Sequence, residues 1–423
     1  MIKANDPDLH SWIEIAPDSN FPIQNLPFGI FTTPERDPRV GVAIGDYILD
    51  LCVLGQHDFF VLIDLDPNVF HRPYLNDFIS LGKPVWRAVR NRISELLQNN
   101  NTEISGNSNL IRECLVKQSE AEMLLPVKVQ NYTDFYSSME HATNVGSMFR
   151  DLENALLPNW KHLPVGYHGR ASSIVVSGTD IYRPKGQTKA TDAEAPTFGP
   201  TQQLDFELEV AFITGKESVL GESITTYEAD DYIFGLVLFN DWSARDIQTW
   251  EYVPLGPFLA KSFASSVSPW VVTLDALEPF RVKGPEQDPQ PLPYLEVLGN
   301  RNFDIQLEVL LQPENGCEHS ISRSNYKYLY WNINQQLAHQ SSNGCNIQVG
   351  DLYASGTISG PDRSSYGSML ELTWRGTQPL LLPDNTTRQF INDHDTVIMR
   401  AYGEHNGIRI GFGEVKTKIL PAL

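Results

Sequence analysis

Residues 204–210 read Leu-Asp-Phe-Glu-Leu-Glu-Val, an alternation of apolar and acidic side chains. On a β-strand successive side chains point to opposite faces. Phe206, Leu208 and Val210 therefore form an apolar face, and Asp205, Glu207 and Glu209 line the other. Carboxylates at i and i+2 on a strand lie about 7 Å apart and, at an effective dielectric of about 20, repel by roughly 2–3 kcal/mol. Solvent at an open sheet edge offsets that repulsion, and so does a hard divalent cation in a cleft, since Ca2+ and Mg2+ take oxygen ligands. These seven residues alone leave both open.

The next informative stretch is Ile-Phe-Gly-Leu-Val-Leu-Phe-Asn-Asp, residues 233–241. An almost continuous apolar run of this length reads as a strand buried on both faces. It ends at Asp241, just before a helix expected over Ser243 to Glu251. Asp241 can cap that helix or serve as a ligand at the strand end. Arg245 and Gln248, at i and i+3, share one helical face, either toward solvent or toward a pocket.

Around these segments the chain is strand-rich, with β-type runs at Ser172–Gly178, Phe206–Gly215, Pro269–Leu274 and Phe303–Gln312 separated by Gly/Pro/Asp turns. A helix is expected over Tyr328 to Ser341, and the segments PKGQTKATDAEAPTFGPTQ and KGPEQDPQPLP read as long loops. Upstream, Gly41 to Ile48 followed by Leu49 to Leu54 reads as strand, turn and strand. Val85, Val89, Ile93 and Leu97 recur at helical spacing from Pro84 onward, and a short helix follows from Leu110. At 423 residues two domains are the natural expectation: an N-terminal structural unit over 1–122 and a catalytic, metal-binding unit over 123–423. The class is mostly β (α+β).

A formal net charge of −20 argues against nucleic acid and anionic membrane surfaces as partners. It also means that a carboxylate substrate needs local Arg and Lys. The four cysteines, Cys52, Cys114, Cys317 and Cys345, form no CxxC pair and read as buried, reduced thiols. The amino terminus has neither a signal nor a transit pattern, and no apolar run is long enough to span a bilayer, so the cytoplasm is the expected location.

Three further polar stretches stand out. Residues 132–146 crowd Asp134, Tyr136, Glu140 and His141 together. Gly166 and Gly169 bracket Tyr167 and His168 in a stretch that can also be a plain turn. Ala354 to Asp362 is rich in Gly, Ser and Thr and precedes Glu371, which lies between leucines on an expected strand and either faces solvent or orients a histidine.

Taken in order, YTDFYSSMEHATNVGSMFR (132–150), ENALLPNWKHLPVGYHGRASSIVVSG (153–178), LDFELEV (204–210), NDWSARDIQTWEYVPLGPFLAKSF (240–263) and ASGTISGPDRSSYGSMLEL (354–372) closely resemble the fumarylacetoacetate hydrolase family. The resemblance implies a small N-terminal β-barrel-like domain, a larger C-terminal mixed β-roll domain, a homodimer and a divalent metal, Ca2+ and/or Mg2+. It implies hydrolysis of the carbon–carbon bond of the diketo-dicarboxylate 4-fumarylacetoacetate to fumarate and acetoacetate, the last step of tyrosine and phenylalanine degradation. By matching motifs, the metal ligands are Asp134, Glu207, Glu209 and Asp241, with Lys261 and Ser265 at a second ion. Asp205 drops out of the acidic set. His141 matches the general base and Glu371 the acid that orients it. Arg245, Gln248 and Lys261 match polarising positions, and these three with Tyr136, Arg150, Tyr167, Tyr252 and Thr357 match substrate contacts. The chain departs from the family pattern at Ser265, where Thr is expected, and at Met139-Glu140, where Arg-Gln is expected. An acid beside the base would raise the pKa of that base. Hydrolysis distinguishes this reading from decarboxylases, hydratases or isomerases on the same scaffold, and from an idle metal-binding homologue, because it requires the water-activating base.

Overall fold

The computed structural model describes residues 2–423 and is mostly β with short helices. Its centre is an eight-stranded sheet in which the buried 233–241 run forms a strand over its whole length, Ile233–Asp241. On one side lies Leu208–Thr214 and on the other Ser265–Val267, both antiparallel to it. Beyond Leu208–Thr214 come Leu352–Ala354, then Tyr132–Phe135 in parallel register, then Gly166–His168.

The alternation read from the sequence sorts this sheet's side chains between two cores. Phe206, Leu208, Val210, Phe212, Leu236 and Leu238 pack into a cluster shared with a second sheet built on Gln306–Gln312, Thr396–His405 and Ile408–Leu420. Ala211, Ile213, Phe234, Val237 and Phe239 face the opposite way and pack against N-terminal elements. Those elements are a five-stranded antiparallel sheet, including Phe28–Thr33, Arg36–Ile44 and Tyr47–Asp50, and the helix Lys83–Leu97. The helix carries Pro84 in its first turn, where the missing N–H has no intrahelical partner in any case.

Several expectations are corrected. The strand expected over Leu49–Leu54 stops at Asp50, whose carboxylate accepts hydrogen bonds from the N–H groups of Cys52 and Val53 and caps a helix at Leu51–Gln56. A strong cap overrides the strand propensity of a short apolar run. The helix expected from Tyr328 begins only at Ile333, behind a capping box between Asn332 and Gln335. The loop expected at 184–202 contains a hairpin, Lys185–Thr188 with Thr197–Pro200. A Cβ at Gly186 would come within 2.7 Å of the Ile247 side chain, so glycine lets this hairpin lie against the helix Arg245–Glu251. Glu371 sits in a helical turn, Met369–Leu372, rather than on a strand. Cys52 and Cys114 are buried and free, but Cys317 and Cys345 are exposed. Among the described residues no helix is long and apolar enough to cross a membrane.

Phe234 joins the central sheet to the N-terminal elements. Its ring meets Trp86 edge-on at 5.1 Å and lies 5.7 Å from Phe28 and 6.1 Å from Phe78. Because it is 1% exposed, truncation leaves a cavity as well as lost contacts. Phe234→Ala is expected to lower stability by about 3–5 kcal/mol in urea denaturation, and a loss under about 1 kcal/mol would contradict this packing account.

Candidate metal and catalytic site

The sheet register gathers the acids at one end of the central sheet. Glu209 shares a face with Ala211 and Ile213, and Asp241 with Val237 and Phe239, so a face that is apolar along most of its length turns acidic at its edge. Asp134 lies opposite Ala354 and Tyr167, and Asp241 opposite Ser265. Glu207 directly precedes its strand, and its N–H donates to Asn240 Oδ1 at 3.1 Å. The result is a group in which Asp134, Glu207, Glu209 and Asp241 each offer an oxygen within 4.8 Å of the others, all four buried.

Two buried cations face this group. Lys261 Nζ lies 2.6 Å from Glu207 Oε2 and 2.5 Å from Asp241 Oδ2. Arg245 Nη1 lies 2.7 Å from Glu207 Oε1, and Arg245 Nε 2.9 Å from Asp205 Oδ2. The carboxylates around Lys261 raise the pKa of its ammonium against the opposing effect of burial. An ammonium has no lone pair, so any ligand that Lys261 gives a cation would be its main-chain carbonyl. Despite its own burial, Glu207 is held well below the usual carboxylate range, by Lys261 first and then by Arg245 and His141. Asp134 and Glu209 go the other way. Burial first, and then the neighbouring carboxylates, push both well above the usual range. Asp134 Oδ1 and Glu209 Oε1 are buried with no hydrogen-bond partner.

Buried carboxylates in excess of the nearby cations, with two oxygens unpartnered, are the donor set of a hard, oxygen-seeking divalent cation. The four residues fit such an ion. Tyr167 OH donates to Asp241 Oδ2 at 2.9 Å and Ser265 Oγ to Asp241 Oδ1 at 3.0 Å, fixing that carboxylate from both sides.

Beside this group stands a histidine–carboxylate pair. His141 Nδ1 lies 2.7 Å from Glu371 Oε2, both residues being buried. They are built alike. His141 is the third residue of the helix Met139–Phe149, and its N–H donates to the capping hydroxyl of Ser138. Glu371 is the third residue of Met369–Leu372, with its N–H on the capping hydroxyl of Ser368. The Glu371 carboxylate also accepts from Asn144 Nδ2 at 2.9 Å, Ser368 Oγ at 2.8 Å and Ser359 Oγ at 2.9 Å. His141 first, then Asn144 and Ser368, hold it below the usual range although burial works against them. With Nδ1 bound to the carboxylate, the lone pair at Nε2 is left to accept a proton.

The remaining expected site residues divide into two sets. Tyr136 stands edge-on to His141 with ring centres 5.2 Å apart, and Gln248 Oε1 accepts from Arg245 Nη1 at 3.3 Å. Thr357 is buried with an unpartnered hydroxyl. Arg150 is exposed, with Nε and Nη2 on the carbonyls of Asn154 and Ala155, and Tyr252 is 51% exposed in the loop after its helix. Neither contacts the carboxylate group. Glu140, beside His141, is half-buried with one carboxylate oxygen unpartnered, and burial, then Glu371, raises its pKa. Sequence reasoning missed Asn144, Ser359 and Ser368 around Glu371. The Ser-x-x-Glu spacing of 368 and 371 carried a usable capping signal, whereas Asn144 and Ser359 reach Glu371 only through the fold.

Comparison with known proteins places the chain in context. Residues 24–126 match the family model described as fumarylacetoacetase N-terminal, and residues 130–420 that described as fumarylacetoacetate (FAA) hydrolase C-terminal. The chain is 54% identical over 420 residues to the fumarylacetoacetase of Dictyostelium discoideum, covering 98% of each. It is 53% identical over 415 residues to that of Homo sapiens, covering 98% of this chain and 99% of the other. Among solved structures, a fumarylacetoacetate hydrolase from Exiguobacterium antarcticum shares the fold at a TM-score of 0.54 and 18% identity, covering 94% of this chain and 99% of the other.

Because Asp134 and Glu209 hold protons above the usual carboxylate range, a divalent cation must displace them. As pH rises these acids ionise, so calorimetric affinity for Ca2+ or Mg2+ is expected to increase from about pH 5 to about pH 8, with proton release on binding. Affinity independent of pH over that range would contradict the ligand assignment.

Proposed function

The chain belongs to the fumarylacetoacetate hydrolase family, and from that premise we propose that it hydrolyses 4-fumarylacetoacetate to fumarate and acetoacetate, closing tyrosine and phenylalanine degradation. It is a hydrolase acting on a carbon–carbon bond. The observation that carries the reading is the buried His141–Glu371 pair standing beside the four-carboxylate group.

The chain's own residues fall into the following roles. Neutral His141, with Nδ1–H held by Glu371, takes at Nε2 a proton from the water that attacks the ketone next to the fumaryl group. Arg245, Gln248 and Lys261 stabilise the oxyanion, and Arg245 Nη2, buried without a partner, is a donor already prepared for it. The carbon–carbon bond then breaks, the departing carbon's charge passes to the neighbouring carbonyl as an enolate, and protonation releases acetoacetate. Asp134, Glu207, Glu209 and Asp241 would hold a divalent cation whose Lewis acidity favours charge on that enolate. Ca2+ and/or Mg2+ suit the all-oxygen donor set, with a second ion at Ser265 and the Lys261 carbonyl. Tyr136, Tyr167, Thr357, Arg150 and Tyr252 bind the substrate and its terminal carboxylates. We assign a structural, barrel-like unit to 1–122 and a β-roll catalytic unit to 123–423, in a cytoplasmic homodimer.

His141→Ala is expected to retain its bound metal and to lose turnover of fumarylacetoacetate by at least about 100-fold, measured as loss of diketone absorbance. Near-normal turnover would remove the base assignment. Glu207→Ala and Asp241→Ala are each expected to lose metal, and full occupancy in both variants would refute the ligand set.

A further inference from the structure

Asp205 is the acid of the 204–210 stretch that neither the metal group nor the dyad absorbs. It is fully buried, on a short strand, Leu204–Asp205, paired with Ser243–Ala244. Its two oxygens reach two distant parts of the site. Oδ1 accepts from Met369 N at 2.7 Å, and Oδ2 accepts from Leu370 N at 3.0 Å and from Arg245 Nε at 2.9 Å.

The first pair of bonds fills the two free N–H groups that open the turn Met369–Leu372, while Ser368 takes the third. That turn carries Glu371. The remaining bond fixes Arg245. A carboxylate facing an arginine commonly engages Nε and Nη2 together, but here only Nε reaches Asp205, whose other oxygen is turned to Met369 N. Glu207 and Gln248 take Nη1. Nη2 is therefore buried and left without a partner. Charge balance does not require Asp205, because Glu207 already neutralises Arg245 at 2.7 Å. Keeping one more buried carboxylate beside an acidic group is costly unless its geometry serves something.

We infer that Asp205 is a positioning residue for the reaction, one carboxylate that sets the turn carrying Glu371 and the free donor of Arg245 in a single frame. The inference rests on the roles given to His141, Glu371 and Arg245 above. Asn at this position has one acceptor oxygen and one NH2 group, so it must oppose a donor to Met369, Leu370 or Arg245. Both arms then shift, while the metal ligands Asp134, Glu209 and Asp241 keep their own strands.

The test compares Asp205→Asn with the wild type in the full-length, metal-loaded enzyme, reading kcat, KM, bound metal and the low-field proton signal of His141 Nδ1–H against Glu371. We expect kcat to fall about 10- to 100-fold, since small misplacements of reacting groups cost that much, with KM changed less than about threefold. Bound metal stays constant and the His141 proton signal moves. A kcat within about twofold of the wild type with an unmoved signal overturns the inference. So does a loss of turnover that follows a loss of metal. If Asp205→Asn does not fold, Asp205→Glu is measured the same way: a fall in kcat with KM and metal held supports the inference, and wild-type kcat overturns it. A wild-type protein that leaves fumarylacetoacetate intact defeats the functional reading itself, whereas an active wild type beside an equally active variant defeats only the role of Asp205.

Discussion

Carboxylates crowded into a protein interior repel one another and lose their hydration, and the organisation of this chain follows from how that strain is met. Asp134, Glu207, Glu209 and Asp241 approach within 4.8 Å at the end of a sheet whose faces are otherwise apolar. Lys261 and Arg245 reach in from outside the strands and satisfy Glu207 and Asp241, but Asp134 and Glu209 each keep an unpartnered oxygen. A rigid sheet, buried on both sides, holds such a group together against its own repulsion, and a divalent cation relieves what remains. The two cores on either side therefore do more than stabilise the fold: they prevent the acids from moving apart.

The histidine–carboxylate pair solves a different problem by a similar means. His141 and Glu371 occupy the same position in two separate serine-capped turns, so their backbones are fixed before their side chains meet. Glu371 accepts from Asn144, Ser359 and Ser368, and His141 first, then Asn144 and Ser368, hold its pKa below the usual range in a buried setting. An ionised Glu371 dictates the histidine tautomer, and the tautomer leaves Nε2 as the acceptor. The proposed chemistry thus rests on turn caps and hydroxyls, which contribute little individually but fix the carboxylate that faces Nδ1.

Much of this was legible in the sequence because strand alternation is a property of the backbone and does not depend on distant partners. The period-two pattern at 204–210 and the apolar run at 233–241 correctly placed apolar side chains in opposed cores, with Glu207 and Glu209 set apart from Phe206, Leu208 and Val210. Where a local cap competed with an apolar run the reading failed: Asp50 turns 51–56 into a helix, and Ser368 turns 369–372 into another. The hairpin at 185–200 was missed because Gly186 gains its packing partner, Ile247, only in three dimensions. Asp205 was equally opaque. Its partners lie 40, 164 and 165 residues away, so a strand pattern could say that it differs from Phe206 but not what it holds.

The most direct test of the account is turnover of fumarylacetoacetate by the purified protein before and after its divalent metal is stripped with a chelator. If the buried carboxylates and the reaction depend on one cation, diketone absorbance falls with the metal-replete protein, the loss stops on stripping, and Ca2+ or Mg2+ restores it. Undiminished turnover by protein shown to be free of metal would separate the acidic group from the chemistry and contradict the account.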